Sequence, residues 1–298
     1  MTKAQQILGP MRVPFLVLPP ACVALGTGTA VWTSGEISVL HVVLAFVGAV
    51  ATHISVNAFN EWFDFRSGLD TRTQPTPFSG GSGTLAAHPE AANTALITAS
   101  VALAVATAVG IYFLTVWGLA LLPLGILGLI LIVVYTPWLT RIPFLCLIAP
   151  GLGFGPMMTM GTDVALTGTY TWTGFIASLV PFFLLVNLLL LNQFPDVEAD
   201  QTVGRRNYPM VMGRKNASFI FAMSMACVYL APVAGWALDL LPAWALLGLG
   251  TLPLGVVTVA GAFRYADDLE KLAPYMGFNV ILNIVTPVLM AIGLFIAA

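Results

Sequence analysis

Two short segments of this 298-residue chain repeat one arrangement of polar side chains. Asn60, Asp64 and Asp70 stand in NEWFDFRSGLD, and Asn192, Asp196 and Asp200 stand in NQFPDVEAD. The offset from Asn60 to Asn192 equals that from Asp64 to Asp196, 132 residues. In a helix, positions i and i+4 share a face, so each Asn points the same way as the Asp that follows it. His53 and Asn57 continue the first stripe inward. If the helices unwind near their ends, Asp70 and Asp200 turn back over the same mouth. Carboxylates gathered in this way repel one another unless a cation holds them. An all-oxygen donor set suits Mg²⁺, which completes its shell with water and substrate phosphates. The competing reading is a set of solvated loop charges paired with nearby arginines. Two matched motifs weigh against it, because acids at a membrane edge are generally functional.

Each stripe is followed by arginines and then by a proline-containing turn: Arg72 ahead of Pro75 and Pro77, then Arg205 and Arg206 ahead of Pro209. An anion held by metal and guanidinium groups at the mouth of an apolar helical cavity points to a phosphate-bearing lipid. A prenyl diphosphate meets both needs, since its head takes metal and arginine and its tail takes an apolar channel. Metal on the diphosphate stabilises the leaving group and favours C–O cleavage to an allylic cation. Aromatic faces stabilise such a cation, although most of the 18 Phe, 7 Trp and 7 Tyr are ordinary packing.

The elements that must position these groups are membrane helices. The chain is 58% hydrophobic and only 8% charged, against roughly 25% charged in soluble domains. This composition reads as one polytopic membrane domain over residues 1–298. A net charge of −2 provides no attraction to nucleic acid. A bilayer crossing takes roughly 20 apolar residues. Such runs fall at 13–32, 39–60, 92–116, 119–135, 143–161, 174–194, 218–238, 243–263 and 276–296, an all-α bundle of nine transmembrane helices. Pro123, Pro232 and Pro287 inside these runs mark kinks that membrane helices tolerate. Cys22, Cys146 and Cys227 also fall inside apolar runs and read as core residues without metal-like spacing. Lys3 and Arg12 precede a first run that lacks a cleavage pattern, so it reads as a retained helix. With the N-terminus in the cytoplasm, all 11 Lys and Arg fall on the cytoplasmic side. The opposite loops carry only Glu36, Asp163 and Asp239. The expected location is the plasma (inner) membrane, with the chemistry facing the cytoplasm.

The paired motifs resemble those of the UbiA superfamily of membrane prenyltransferases, NxxxDxxxxxD or NxxxDxxxD in type. The segment YTPWLTR, Tyr135 to Arg141, is similar to that family's Tyr- and Pro-containing signature ending in a basic residue. The resemblance covers most of the chain. Within the superfamily, PFSGGSG and DVEADQTVGRRNYP most resemble the 1,4-dihydroxy-2-naphthoate polyprenyltransferases of menaquinone synthesis. The chain departs from them at Thr76, where many relatives carry a basic residue, and at Asn207-Tyr208, which replaces a Thr-Leu-like pair. The resemblance implies a Mg²⁺-dependent enzyme that moves a prenyl group from a polyprenyl diphosphate to an aromatic acceptor. It implies that Asn60, Asp64, Asp196 and Asp200 hold Mg²⁺ bridged by the diphosphate, assisted by Asp70 and Asn192. Arg72, Arg141 and Arg206 would contact diphosphate oxygens, and Tyr135 would lie near the reacting carbon. Arg66 and Arg205 are open between a diphosphate contact and the positive-inside bias. The turn at 79–83 is open between a run of N–H groups for an anion and a flexible connector. Asn279 and Asn283 are open between pocket lining and interhelical hydrogen bonding. His41, His53 and His88 show no metal spacing and take no catalytic role in this reading.

Three other functions share parts of the pattern. A UbiA-type terpene cyclase uses the same ionisation and captures the cation internally, and a prenyltransferase with a non-aromatic lipid acceptor shares the donor site. A cation-coupled transporter keeps its site near the bilayer midplane, whereas these acids cluster at one face beside arginines that repel a transported cation.

Overall fold

In lipid, each backbone N–H and C=O must pair within its own segment, which restricts a greasy chain to helices or closed barrels. The computed structural model describes residues 3–70, 72 and 80–298, and these form helices and turns with no strand among them. Pro75, Thr76, Pro77, Phe78 and Ser79, which entered the reading above, lie outside the described residues. The long helices are α1 (Leu18–Ser34), α2 (Val39–Ser67), α3 (Ala92–Trp117), α4 (Leu122–Val134) and α5 (Pro143–Thr167). They continue with α6 (Trp172–Gln201), α7 (Arg214–Ala237), α8 (Ala243–Arg264) and α9 (Leu269–Ala297). Ser38, Thr171 and Asp268 cap α2, α6 and α9 by accepting from the N–H groups of His41, Gly174 and Lys271, which satisfies donors that a helix start leaves unpaired.

By length and hydropathy, the described residues hold eight segments able to cross a bilayer, where the sequence suggested nine runs. The difference lies in Pro89–Val134, 46 residues that are helical almost throughout and count as one segment. Gly118 interrupts it at φ 64 and ψ −143, a conformation that only glycine adopts without strain. Beyond that break the chain folds back. Ala106, Gly110 and Phe113 of α3 line the same apolar cavity as Leu122, Gly125 and Leu129 of α4. The start of α3 lies beside the end of α2, where Leu85, Ala91 and Ala95 pack with Phe65. Tyr135, just past α4, returns to that end and shares a cavity with Asn60 and Asp64.

Helix α6 is the most deeply buried and packs on α1, α5, α7 and α9. Its Leu184, Leu190, Leu191 and Phe194 are fully buried, as is Phe221 of α7. Glycine lets α5 press against it: a Cβ on Gly155 would stand 2.5 Å from the Ser178 carbonyl oxygen, the small-residue contact by which membrane helices approach closely. Helices α3 and α4 are the least covered and expose Ile97, Val101, Ile111, Ile126 and Ile130, as lipid-facing surfaces require. The middle of α5 widens into a π-helical stretch, Gly153–Met160, with Pro156 inside it. Such stretches are rare and gather at functional sites. Here it carries Phe154, Met157 and Met158 to a cavity wall.

The charged loops meet at one end of the bundle. Arg12 reaches Glu61, Arg72 reaches the Thr202 carbonyl, the Arg206 N–H reaches the Thr140 carbonyl, and Arg214 reaches Glu198.

Candidate active site at the charged end of the bundle

The end of α2 determines how Asp70 enters the site. Gly68 takes the left-handed conformation at φ 76, the Gly68 N–H donates to the Phe65 carbonyl, and the Leu69 N–H donates to the Asp64 carbonyl. This is a Schellman turn, whose hydrophobic residue packs back on the helix; Leu69 is 5% exposed. The turn swings Asp70 back beneath the helix end, as expected. The second motif behaves differently. Helix α6 runs on to Gln201 without unwinding, so Asn192, Asp196 and Asp200 stay at i, i+4 and i+8 on one face.

The two stripes converge. Asn60, Asp64, Asp70, Asn192, Asp196 and Asp200 all line one cavity of about 280 Å³, together with Tyr135. Its deeper wall is apolar and includes Phe15, Leu18, Val56, Phe154, Leu185 and Leu188. Asp64, in the first stripe, and Asp200, in the second, are joined by Arg205, which pairs with Asp64 and reaches Asp200 Oδ1 at 3.3 Å. Asn207 Nδ2 donates to the other Asp200 oxygen at 3.0 Å. A turn at Gly204, with φ 77, brings Arg205 back over the site. Burial opposes the charge on Arg205, but the Asp64 and Asp200 carboxylates outweigh it and raise its pKa. It is a permanent cation.

A second charged cluster lies beside the first. Glu61 is fully buried and accepts from Arg12 Nε at 2.7 Å, the Ser82 N–H at 2.7 Å and the Ser82 hydroxyl at 2.8 Å. Arg12 Nη2 also donates to Asn60 Oδ1 at 2.9 Å, and Asn60 Nδ2 donates to Thr136 Oγ1 at 3.1 Å. The glycine-rich turn therefore does present an N–H to an anion, and that anion is the protein's own Glu61. Gly81, at φ 76, passes close by: a Cβ there would stand 3.2 Å from Glu61 Oε1 and 3.5 Å from Asp70 Oδ1. Burial, with the Asp64 and Glu61 charges, lifts the Asp70 carboxyl to about 7. Burial holds the Tyr135 phenol well above its ordinary value, so it stays neutral.

The arginines divide. The structure brings Arg12 and Arg205 to the cavity wall, and Arg72, Arg141 and Arg206 are exposed outside that wall. Arg66 lies over the Trp62 ring at 5.5 Å. Asn279 and Asn283 are buried, with Asn283 Nδ2 donating to the Asn279 carbonyl at 2.8 Å, and they lie outside this wall. Sequence reasoning missed Arg12 and Glu61 as site residues. The available signal was Glu61 itself, an acid in the middle of a helical stripe with no cation three or four residues away on either side.

No three His, Cys, Asp or Glu side chains among the described residues converge closely enough to hold a metal ion by themselves. The donor chemistry nonetheless fits a hard divalent cation. Every candidate ligand is an oxygen, and Asp70 Oδ2 is buried without a hydrogen-bond partner. Arg205 already shows that Asp64 and Asp200 bind one positive group together. The remaining coordination positions fall to water and a phosphate-bearing substrate, the usual division for Mg²⁺.

Comparison with known proteins shows the family and the fold. The profile of the UbiA prenyltransferase family matches residues 17–284. The chain is similar to the 1,4-dihydroxy-2-naphthoate octaprenyltransferase of Bacillus subtilis, 29% identical over 59% of this chain and 56% of that one. This match therefore spans just over half the length of that relative. It is also similar to the enzyme of the same name from Mycobacterium tuberculosis, 25% identical over 92% of this chain and 90% of that one. Among solved structures, a UbiA homologue from Aeropyrum pernix superposes with a TM-score of 0.73 at 16% identity, covering 95% of this chain and 98% of that one. A UbiA homologue from Archaeoglobus fulgidus bound to DMAPP and Mg²⁺ superposes with a TM-score of 0.61 at 17% identity, covering 99% of both chains. These structural likenesses establish the fold.

Proposed function

The chain belongs to the UbiA prenyltransferase family, and on that premise we propose that it transfers a prenyl group from a polyprenyl diphosphate to an aromatic acceptor, with dihydroxynaphthoate the leading candidate. One observation carries this reading: two carboxylate stripes from α2 and α6, with Asp70, converge at the mouth of a cavity whose depth is apolar. A diphosphate head fits the mouth and a prenyl tail fits the depth. The naphthoate acceptor is suggested by the names of the two curated relatives.

The residues that would hold Mg²⁺ are Asp64, Asp70, Asp196 and Asp200, with Asn60 and Asn192 beside them. When bound, the metal would neutralise the diphosphate and make it a better leaving group. The chain's own groups do the rest. Arg12, fixed by Glu61, and Arg205 supply positive charge at the cavity wall. Arg72, Arg141 and Arg206 stand outside it and would reach the head group by side-chain movement. Tyr135, neutral and at the same wall, would face the carbon that ionises, and Phe15 and Phe154 line the same cavity and would offer aromatic faces to the cation. A second apolar cavity of about 350 Å³ shares Thr52, Gly128, Ile132, Gly153, Met157 and Met158 with the first, and provides room for a longer tail. The α3–α4 reversal at Gly118 supports nine crossings, with the site on the cytoplasmic face of the plasma membrane by the distribution of Lys and Arg. Residues 1–298 form one domain in this reading.

The test is competition among acceptors at fixed prenyl diphosphate, using dihydroxynaphthoate, 4-hydroxybenzoate, homogentisate and a glycerol-phosphate lipid, with and without a chelator. We expect metal-dependent prenylation of dihydroxynaphthoate. Prenylation of the glycerol-phosphate lipid alone overturns the aromatic assignment, and release of a cyclic hydrocarbon without any acceptor identifies a cyclase.

A further inference from the structure

The deep wall of the first cavity carries one polar ring that the donor site does not use. His53 lies on α2, is 5% exposed and lines the cavity. Its ring is held edge-on against Phe154, with centroids 5.0 Å apart and planes at 88°. Its Nδ1 is buried with no hydrogen-bond partner. Around it the wall is largely apolar, with Phe15, Val56, Phe154, Met158 and Leu188, and Thr52 and Asn57 as its polar neighbours. An unpaired imidazole nitrogen in such a wall costs stability, and neither half of the donor relieves it. A prenyl tail has no polar atom to offer. The diphosphate would sit with Asp64, eleven residues or about 16 Å further along the helix.

Resting on the reading of the site as a prenyltransferase, we propose that the His53 imidazole binds a ring hydroxyl of the acceptor and so positions it for attack. Asn57 stands one helical turn nearer the mouth on the same face. Its Nδ2 is committed to the Met11 carbonyl at 3.1 Å, which fixes its carboxamide beside the same path. His53, Asn57 and Asn60 thus form a polar strip down one side of an apolar cavity. An acceptor on this strip, with a ring hydroxyl at His53, extends its ring from there toward the carboxylates to meet the allylic carbon, while the prenyl tail passes the shared Thr52, Gly128 and Ile132 wall into the second cavity. A half-turn of the imidazole about its Cβ–Cγ bond exchanges the edge presented to the cavity, so the ring can serve the hydroxyl as donor or acceptor. Phe154 sets the plane of the imidazole by its edge contact. Recognition of this kind favours hydroxylated rings over apolar ones, because only they satisfy the buried nitrogen.

The test compares His53→Phe and His53→Gln with the wild-type protein, using dihydroxynaphthoate as the acceptor probe. KM is measured separately for acceptor and prenyl diphosphate, along with the thermal midpoint of each purified protein. His53→Phe is expected to raise the acceptor KM at least about tenfold, leave the donor KM within about twofold, and leave the midpoint equal or higher. His53→Gln, which keeps a hydrogen-bonding group, is expected to recover part of the acceptor KM. A packing role would instead lower the midpoint in both variants and move both KM values together, which overturns the proposal. An unchanged acceptor KM in folded His53→Phe, with normal wild-type transfer, overturns this inference alone. Absence of transfer by the wild-type protein to every aromatic acceptor overturns the functional reading and this inference with it.

Discussion

Arg205 pairs with Asp64 across 141 positions of sequence, and the same guanidinium reaches Asp200. Two halves of the chain are thus joined by a cation that the protein itself supplies, at the carboxylates where a divalent metal is proposed to bind. Guanidinium and metal cannot both take the same oxygens. In Arg205→Gln the competitor is gone, so Mn²⁺ should bind the substrate-free protein more tightly, by about tenfold or 1.4 kcal/mol, as read by electron paramagnetic resonance of free Mn²⁺. Turnover should fall in the same variant. Weaker Mn²⁺ binding would show that Arg205 organises the ligands rather than competing for them.

The carboxylates are expected to be indispensable to turnover. Asp64→Asn and Asp196→Asn should each lose at least about 100-fold in initial rate, on the scale of removing one transition-state charge stabiliser. Both proteins should elute normally from gel filtration in detergent, because both residues line a cavity rather than fill the core. Full activity in either variant would refute the two-stripe site.

Asp70 predicts a pH dependence. Burial and its acidic neighbours raise its pKa from 3.8 to about 7 in the substrate-free protein, so the folded state holds a proton that the unfolded chain has already released. That contribution to stability is fully present below pH 3.8 and is lost as pH rises through about 7. A metal needs the carboxylate ionised. Metal affinity should therefore climb as pH rises toward 7 and level off above it, with proton uptake by the buffer visible in titration calorimetry. Asp70→Asn should flatten this slope, and an unchanged slope would assign the proton elsewhere.

Glu61 and Arg12 should behave as a unit. Glu61→Ala leaves the partly buried Arg12 charge without its partner and should cost about 2 kcal/mol in thermal or denaturant unfolding, below the range for fully buried pairs because Arg12 keeps some solvent. Adding Arg12→Ala should recover part of that loss. A double variant as unstable as the sum of the two singles would mean that the pair is not coupled.

Sidedness can be read with single cysteines at exposed positions. Thr202→Cys should react with an impermeant thiol reagent only from the cytoplasmic face, and Thr169→Cys only from the opposite face. Thr169 is a better probe than its neighbour Gly168, where a side chain would run into Trp117 at 2.5 Å. Labelling of both from one side would overturn the proposed orientation.

Much of this molecule is legible in its sequence, because lipid leaves few choices. Without water to satisfy the backbone, each apolar run must close its own hydrogen bonds as a helix, and spacing of four then places Asn60 with Asp64 and Asn192 with Asp196 on single faces. Gly68 marks the end of α2, since a Schellman turn needs a left-handed residue there. The break between the runs 92–116 and 119–135 is legible too; what the sequence does not show is that Gly118 makes it, at φ 64 and ψ −143, and what α3 and α4 pack against. Local pattern likewise could not say which cations serve the site. The proposed topology puts all 11 Lys and Arg on one side, and periodicity does not separate those that neutralise a loop from those that enter a cavity. Arg205 enters because Gly204 turns the chain back over Asp200, and Arg12 enters because the turn ahead of α1 lies against α2, where Asn57 donates to the Met11 carbonyl. Arg72, Arg141 and Arg206 have the same chemistry and stay outside. Such choices rest on contacts between residues far apart in the chain, and only the packing of helices decides them.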